Sequence, residues 1–373
     1  MRKLEVIKIK KIIFGITGLT IGGAERVLVD LANRLCIEYD ITIFTLYSKG
    51  ELEEQLDKKI KLLHLYTENY NELNRIQRIK TSLDILLRKN KIYCQYIKNR
   101  FDIEIAFLEG PITRLFGISS NKNKYAWVHT DISTAFGKGI KNLFKKISGK
   151  RVYKKYKKIV FVSNDSKEKF INFFELNLDK YTIIENYIDE KRILNLSVAN
   201  HNKIFDSKQT NFITVARLVE QKGIDRFIRI HKRLIENNYK NKVFVIGDGP
   251  IKDKLQEQID KENIQETFIL LGKKTNPYTY IKQADCFCLL SYSEGYGMVV
   301  EEAKILNKQI IVTNTAAKEA VKGYNKAVIT ENNEESIYKS LIEIIKKQTI
   351  NDTQIYKSIN GIIIKKFKEL VGD

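Results

Sequence analysis

Short apolar runs alternate with amphipathic stretches along almost the whole chain. Residues 12–17 form a continuous apolar run that predicts a buried parallel strand, and residues 24–35 place Val27, Leu28, Leu31 and Leu35 at helical spacing. Further strands are predicted over 41–46, 103–108, 125–128, 159–163 and 181–184. Residues 74–100 read as one or two amphipathic helices, and Asn164 or Asp165 as the cap of a helix over 167–174. From Glu190 to Thr210 the pattern turns irregular and polar. The alternation then restarts: strands over 212–216, 243–246, 268–272, 286–290, 309–313 and 327–330, with helices over 225–237, 251–262, 278–283 and from Glu334, and a terminal helix over 352–370. This rhythm predicts an α/β protein of two tandem doubly wound, Rossmann-like domains whose sheet ends face a cleft. Their expected extents are 1–190, together with 352–373, and 191–351. A length of 373 residues fits that division.

The most informative break in the pattern is Ser291–Ala303, where a strand dissolves into Gly295, Tyr296 and Gly297 and restarts as a helix. Glycines allow close approach of a ligand to the backbone, and the first-turn amides of a helix are unpaired donors that attract phosphate. Glu294 and Glu302 bracket the restart and suit ribose or sugar hydroxyls. The plainer reading is a strand-to-helix join with solvated glutamates. Gly22 and Gly23 follow the first strand, but the dinucleotide-binding G-x-G-x-x-G pattern is not matched, so a hydride-transfer cofactor is not expected. His129 falls just past a strand, where α/β sheets bind ligands. Arg217 and Lys222 follow the first strand of the second half and can reach one diphosphate. Two solvated bases in a lysine-rich chain is the alternative. His64, His201 and His231 lack such context and read as surface or satisfied core.

Composition narrows the classes. Cys36, Cys94, Cys286 and Cys288 show no paired metal-site spacing, and Cys286 and Cys288 alternate with Phe287 as core, which fits a reducing cytoplasmic setting. Lys8, Lys10 and Lys11 before residues 12–16 resemble the start of a signal peptide. The apolar run is short and leads into a polar-faced helix, so it reads as a strand. No stretch approaches the apolar length of a membrane span.

The net charge of +20 is uneven: residues 1–180 hold 35 of the 65 Lys/Arg and 20 of the 45 Asp/Glu, a net +15 against +5 for the rest. Residues 138–158 interleave bases with apolar and aromatic side chains, and residues 74–100 carry eight bases. Both suit an anionic membrane surface, the alternative being compositional bias on a solvated face. No helix-turn-helix, RNP or zinc-finger signature supports nucleic-acid binding.

Taken in order, Gly22-Gly23-Ala24-Glu25-Arg26, His129, Val215 to Gly223, Gly247-Asp248-Gly249-Pro250 and the Glu294/Glu302 pair, an E-x7-E motif, resemble the retaining glycosyltransferases of family 4 with the two-domain GT-B fold. The resemblance covers nearly the whole chain. It implies that Glu294 contacts donor-sugar hydroxyls, that Glu302 holds the ribose, and that Arg217 and Lys222 neutralise the diphosphate leaving group. His129 would line the sugar and acceptor side. Gly22, Gly23, Gly247, Gly295, Tyr296, Gly297, Met298 and Val299 would complete donor binding. It further implies no metal and no cofactor, a nucleoside diphosphate sugar as donor with UDP favoured, and a glycan or lipid-linked glycan acceptor. The implied location is the inner face of the cell membrane, and the implied setting bacterial surface-polysaccharide synthesis. Met298-Val299 and Gln221 depart from the family's usual residues and bear on donor preference. A nucleotide-sugar 2-epimerase on the same fold is the catalytic alternative, and a non-catalytic basic nucleic-acid-binding protein the other.

Overall fold

The computed structural model describes residues 9–129, 140–199, 205, 208–347 and 356–373. The chain divides into two compact units, Met1–Ile188 with Ile359–Asp373, and Asp189–Ser358.

In the first unit the elements run β1 (Lys11–Ile16), α1 (Gly23–Leu35), β2 (Asp40–Tyr47), β3 (Lys61–Tyr66), α2 (Arg75–Tyr96), β4 (Ile103–Ala106), α3 (Pro111–Phe116), β5 (Lys124–Val128), α4 (Ile140–Tyr153), β6 (Lys158–Phe161), α5 (Asn164–Phe174) and β7 (Tyr181–Ile183). The seven strands form a parallel sheet in the order β3-β2-β1-β4-β5-β6-β7. Ile12, Ile13, Phe14 and Ile16 of β1 are fully buried, as expected for a central strand covered on both faces. Gly15 is fixed by packing, because a Cβ there would lie 2.4 Å from the Phe116 ring of α3.

The second unit runs α6 (Glu190–Ser197), β8 (Thr210–Val215), α7 (Ile224–Glu236), β9 (Asn241–Ile246), α8 (Lys252–Lys261), β10 (Phe268–Gly272), α9 (Tyr278–Gln283), β11 (Cys286–Leu289), α10 (Met298–Ile305), β12 (Gln309–Thr313), α11 (Ala317–Ala320), β13 (Ala327–Thr330) and α12 (Glu334–Lys347). Its parallel sheet has the order β10-β9-β8-β11-β12-β13. Strand order reverses between β8 and β11, and the carboxyl ends flanking such a reversal are where open α/β sheets bind ligands. Cys286 and Cys288 are fully buried in β11. The last helix, α13 (Asn360–Val371), belongs to the first unit. Phe367 stacks on Phe14 at 6.2 Å, Lys366 pairs with Glu185 at 2.7 Å, and Tyr39 and Lys10 both bond Asp373.

Several elements differ from expectation. The irregular stretch after Glu190 begins with α6, started by the Asp189 carboxylate accepting from the Arg192 N–H at 3.0 Å. Strand β3 and the short α3 were not signalled, because β3 is a half-buried edge strand without alternation and α3 spans six residues. Helix α5 is capped by Ser163, whose hydroxyl accepts from the Ser166 N–H at 3.1 Å, and not by Asn164 or Asp165, which lie inside the helix. Residues 74–100 contain a single helix, opened by a capping box between Asn74 and Gln77. Residues 356–359 precede α13 as non-helical chain, and 352–355 lie outside the described residues, as do His201 and Lys138.

Candidate active site

In the second unit the loop between β11 and α10 is pinned carbonyl by carbonyl. The Leu290 carbonyl accepts from the Arg226 guanidinium, Nε at 2.8 Å. The Ser291 carbonyl accepts from the Thr313 hydroxyl at 2.7 Å, that of Tyr292 from the Asn332 amide at 2.9 Å, and that of Ser293 from the Gln221 amide at 2.9 Å. The four donors come from helix α7, the end of β12, the β13–α12 loop and the β8–α7 loop. Arg226 is 1% exposed, lies 4.1 Å from the Tyr292 ring centroid and also donates to Asn332 at 2.7 Å. Burial pushes its pKa down. Gly223 starts α7 with φ +65°, and a Cβ there would sit 2.3 Å from the Leu290 carbonyl oxygen, so the β8–α7 loop must approach the β11–α10 loop through glycine.

This stitching delivers Glu294. It is 5% exposed, and its Oε1 accepts from the Lys222 ammonium at 2.7 Å and the Ser291 hydroxyl at 2.5 Å. Its Oε2 takes no hydrogen bond among the described residues. Arg217, on the loop after β8, is exposed and makes no side-chain hydrogen bond or ion pair among the described residues. Gly297 caps α10 at φ +85°, a conformation that favours glycine, and the first-turn amides of Met298 and Val299 follow it.

Glu302, one turn into α10, accepts from the Tyr278 hydroxyl at 3.2 Å, and Arg192 of α6 donates to that hydroxyl at 3.2 Å. Glu301 is buried, receiving the Tyr296 hydroxyl at 2.8 Å and Lys304 at 2.8 Å. The Tyr296 side chain is therefore turned into the protein, leaving only its backbone for a ligand. At Gly247 the missing side chain serves packing: φ is +149°, and a Cβ would lie 1.8 Å from the Ala216 carbonyl oxygen. Leu218 donates from its N–H to the Asp248 carbonyl at 2.9 Å in the same contact.

In the first unit Gly22 precedes α1 in extended conformation, and a Cβ there would meet the Glu25 carboxylate at 2.2 Å. Glu25 folds back over this helix start, and burial pushes its pKa up, with the Glu109 charge adding to the effect. Gly23 is the first residue of α1. His129 follows β5, its backbone N–H donating to Glu109 Oε1 at 2.7 Å, and its ring lies against Phe107 and Trp127 with centroids 4.6 and 6.3 Å away. Burial lowers its pKa to about 3, which leaves the imidazole neutral. Its Nε2 has no partner among the described residues.

Two family models divide the chain between them. The one described as Glycosyltransferase Family 4 matches residues 21–192, and the one described as Glycosyl transferases group 1 matches 199–360. The chain belongs to these glycosyltransferases. An uncharacterized glycosyltransferase of Methanocaldococcus jannaschii is 32% identical over 208 residues, 54% of this chain and 51% of that protein, so the match spans about half of that relative's length. The N-acetylgalactosamine-N,N'-diacetylbacillosaminyl-diphospho-undecaprenol 4-alpha-N-acetylgalactosaminyltransferase of Campylobacter jejuni is 25% identical over 349 residues, 90% of this chain and 89% of that protein. Among solved structures, Anabaena HepE in complex with UDP and glucose aligns with a TM-score of 0.68 over 96% of this chain and 100% of that one at 17% identity. That likeness establishes the GT-B fold.

Within the glycosyltransferase, Glu294, Lys222, Met298 and Val299 come together at the β8/β11 reversal. Arg192, Tyr278, Arg226 and Ser291 were not anticipated as parts of this site. Tyr278 reaches Glu302 from 24 residues away in sequence and Arg192 reaches Tyr278 from 86, and no local motif signals such partners. Among the described residues no three His, Cys, Asp or Glu side chains cluster at metal-binding distance.

Proposed function

We propose that this glycosyltransferase moves a hexosyl or N-acetylhexosaminyl unit from a nucleoside diphosphate sugar, UDP-sugar favoured, to a hydroxyl of a glycan or lipid-linked glycan in bacterial surface-polysaccharide synthesis. The observation that carries this reading is the start of α10. Its free amides stand between Glu294, anchored through one oxygen by Lys222 and Ser291, and Glu302, bonded to Tyr278. Amides at a helix start suit a phosphate, and two positioned carboxylates suit the sugar and ribose hydroxyls on either side of it.

In this reading Arg217 stabilises the departing diphosphate. The bond from the anomeric carbon to the phosphate oxygen breaks as the bond to the acceptor oxygen forms on the same face. The acceptor proton passes to the departing phosphate, so the configuration is retained without a protein nucleophile or a metal. His129, neutral, lines the sugar and acceptor side, with Gly22 and Gly23 near the phosphates. The names of relatives such as the Campylobacter transferase and the UDP-bound state of HepE support the donor and acceptor classes. The second unit is then the nucleotide-sugar domain, the first the acceptor domain, and the enzyme works at the cytoplasmic membrane face.

The test is a thermal-shift panel of UDP-, GDP- and ADP-sugars, followed by turnover of the donor that stabilises. A Glu294→Ala protein that turns over donor at the parent rate would sink the site assignment. Epimer formed from donor alone would favour the epimerase.

A further inference from the structure

Helix α2 carries a face that the fold leaves uncovered. Ile85, Ile92 and Tyr93 point inward and are buried, whereas Ile76, Ile79, Leu83, Leu86 and Leu87 are between 49% and 81% exposed. At about 100° per residue these five fall on one outward stripe along a helix of 22 residues, about 33 Å long. Exposed Lys80 and Lys91 flank the stripe on one side and half-buried Lys89 the other. The one acid of the helix, Asp84, is held by Arg88 at 2.9 Å and by the Tyr66 hydroxyl at 2.7 Å. An outward apolar stripe edged by lysines is the pattern of a helix lying in a membrane interface.

A second observation adjoins it. A cavity of about 320 Å³ elsewhere in the unit is lined by Glu104 and Asp102, but the one beside α2, about 170 Å³ between α2, α3 and α4, holds no carboxylate. Lys89, Arg114 and Lys155 line it together with Leu86, Ile118 and Val152. Arg114 donates to the Ser148 hydroxyl at 2.7 Å, and neither Lys89 nor Lys155 has a side-chain hydrogen bond or ion pair among the described residues. Three cations over an apolar floor, opening next to an apolar stripe, match the junction of a lipid phosphate with its acyl chains.

We propose that α2 lies along an anionic bilayer with its outward stripe in the interface, and that a lipid phosphate seats in the adjoining pocket on Lys89, Arg114 and Lys155. This deepens the membrane-face location proposed above by naming the contact. It draws on α2 and its pocket alone, so it stands or falls separately from the sugar-transfer reading.

The experiment is co-flotation of the full chain with vesicles of phosphatidylcholine, with and without phosphatidylglycerol, in the absence of donor. Binding is expected only with phosphatidylglycerol and should weaken as salt rises. Leu87→Glu should weaken partitioning about tenfold or more, and Lys89→Gln and Lys155→Gln about fivefold each. Leu87 and Lys155 are exposed and Lys89 half-buried, and unchanged melting of each variant verifies folding. Soluble glycerol phosphate should not displace the chain.

Three results would overturn the proposal. One is equal flotation of parent and variants. Another is displacement by glycerol phosphate while Leu87→Glu still floats, which would mark a site for free phosphate. The third is a dimer in solution that Leu87→Glu dissociates, which would assign the stripe to a second copy. The donor thermal-shift panel, run without vesicles, reports on the catalytic reading independently of all three.

Discussion

Arg217 and Lys222 carry the same formal charge on one loop, yet the structure gives them different work. The Lys222 ammonium is 2.7 Å from Glu294 Oε1 and its side chain is 23% exposed, so its charge is already answered inside the protein. Arg217 is exposed with no ion-pair partner among the described residues. In the proposed reaction, a departing diphosphate would therefore draw first on Arg217. Replacing Arg217 by Ala should leave stability within about 0.5 kcal/mol of the parent, as for a surface side chain without partners. It should lower kcat/KM for the donor by about 10²–10³, the effect of removing one preorganised group from a developing anion. Lys222→Ala should behave differently. A hydrogen bond between charged groups contributes about 1.5–3 kcal/mol. With the lysine partly hydrated the contribution falls below that range, near 1 kcal/mol, or about 3 °C in the melting of a unit of this size. Its activity should fall as well, because Glu294 loses its anchor. Melting curves and initial rates of donor turnover on the two variants test the contrast. An Arg217→Ala enzyme at the parent rate, or a Lys222→Ala protein with the parent melting temperature, would refute this division of labour.

Tyr278→Phe removes the hydroxyl that holds Glu302 and should raise KM for the donor about tenfold while changing stability by about 1 kcal/mol, as read from saturation kinetics and melting. Gln221→Glu puts an acceptor against the Ser293 carbonyl and should lower kcat/KM about tenfold with little change in melting temperature, since Gln221 is exposed. Gly247→Ala should destabilise by about 2–3 kcal/mol, measured by denaturant titration, because the new Cβ overlaps the Ala216 carbonyl at a strained φ. Stability should also fall in mild acid. His129 and His231 are held neutral by burial, with pKa values of about 3 and about 4. The unfolded chain therefore binds more protons than the folded one below about pH 6.5, and stability is lost from there downward, by up to about 1.4 kcal/mol per pH unit for each histidine. Glu25 and Glu104, whose pKa values are raised by burial, oppose this trend. Denaturant titrations at pH 7 and pH 5 should show a shallower loss in His231→Gln than in the parent, and an unchanged loss would refute the assignment.

The two parallel sheets were legible because their strands are apolar runs buried on both faces, such as residues 12–16 and 286–289. Edge strand β3, with no fully buried residue, gave no such signal. Helix α6 was hidden for a related reason: Ile193 and Ser197 are its only buried residues, and its start depends on the single carboxylate of Asp189. At the site, the glycines and glutamates stood out because they interrupt a pattern. What each glycine packs against did not, since the Ala216 carbonyl facing Gly247 and the Leu289 and Ala317 side chains facing Gly297 are set by the fold. Arg226 could not be distinguished from the neighbouring Arg229, although one is buried beneath the loop and the other pairs with Asp225 and Glu334 at the surface. That difference arises from contacts more than 60 residues away in sequence.

In the proposed reaction the loop before α10 suits Glu294 to holding a substrate more than to moving protons. Four successive carbonyls, from Leu290 to Ser293, are each occupied by a side-chain donor, so the backbone leading into Glu294 has little freedom to shift when a ligand arrives. Glu294 then has one oxygen tied to Lys222 and Ser291 and the other without a hydrogen-bond partner among the described residues. A carboxylate fixed in this way can accept a hydroxyl in one orientation, and the ordering it requires is already built into the fold. Arg217 has the opposite character, an exposed charge without an ion-pair partner among the described residues, which in the proposed reaction would meet the phosphate as its bond to the sugar lengthens. The rigid group suits the part of the donor that must stay in place, and the free cation suits the part that leaves.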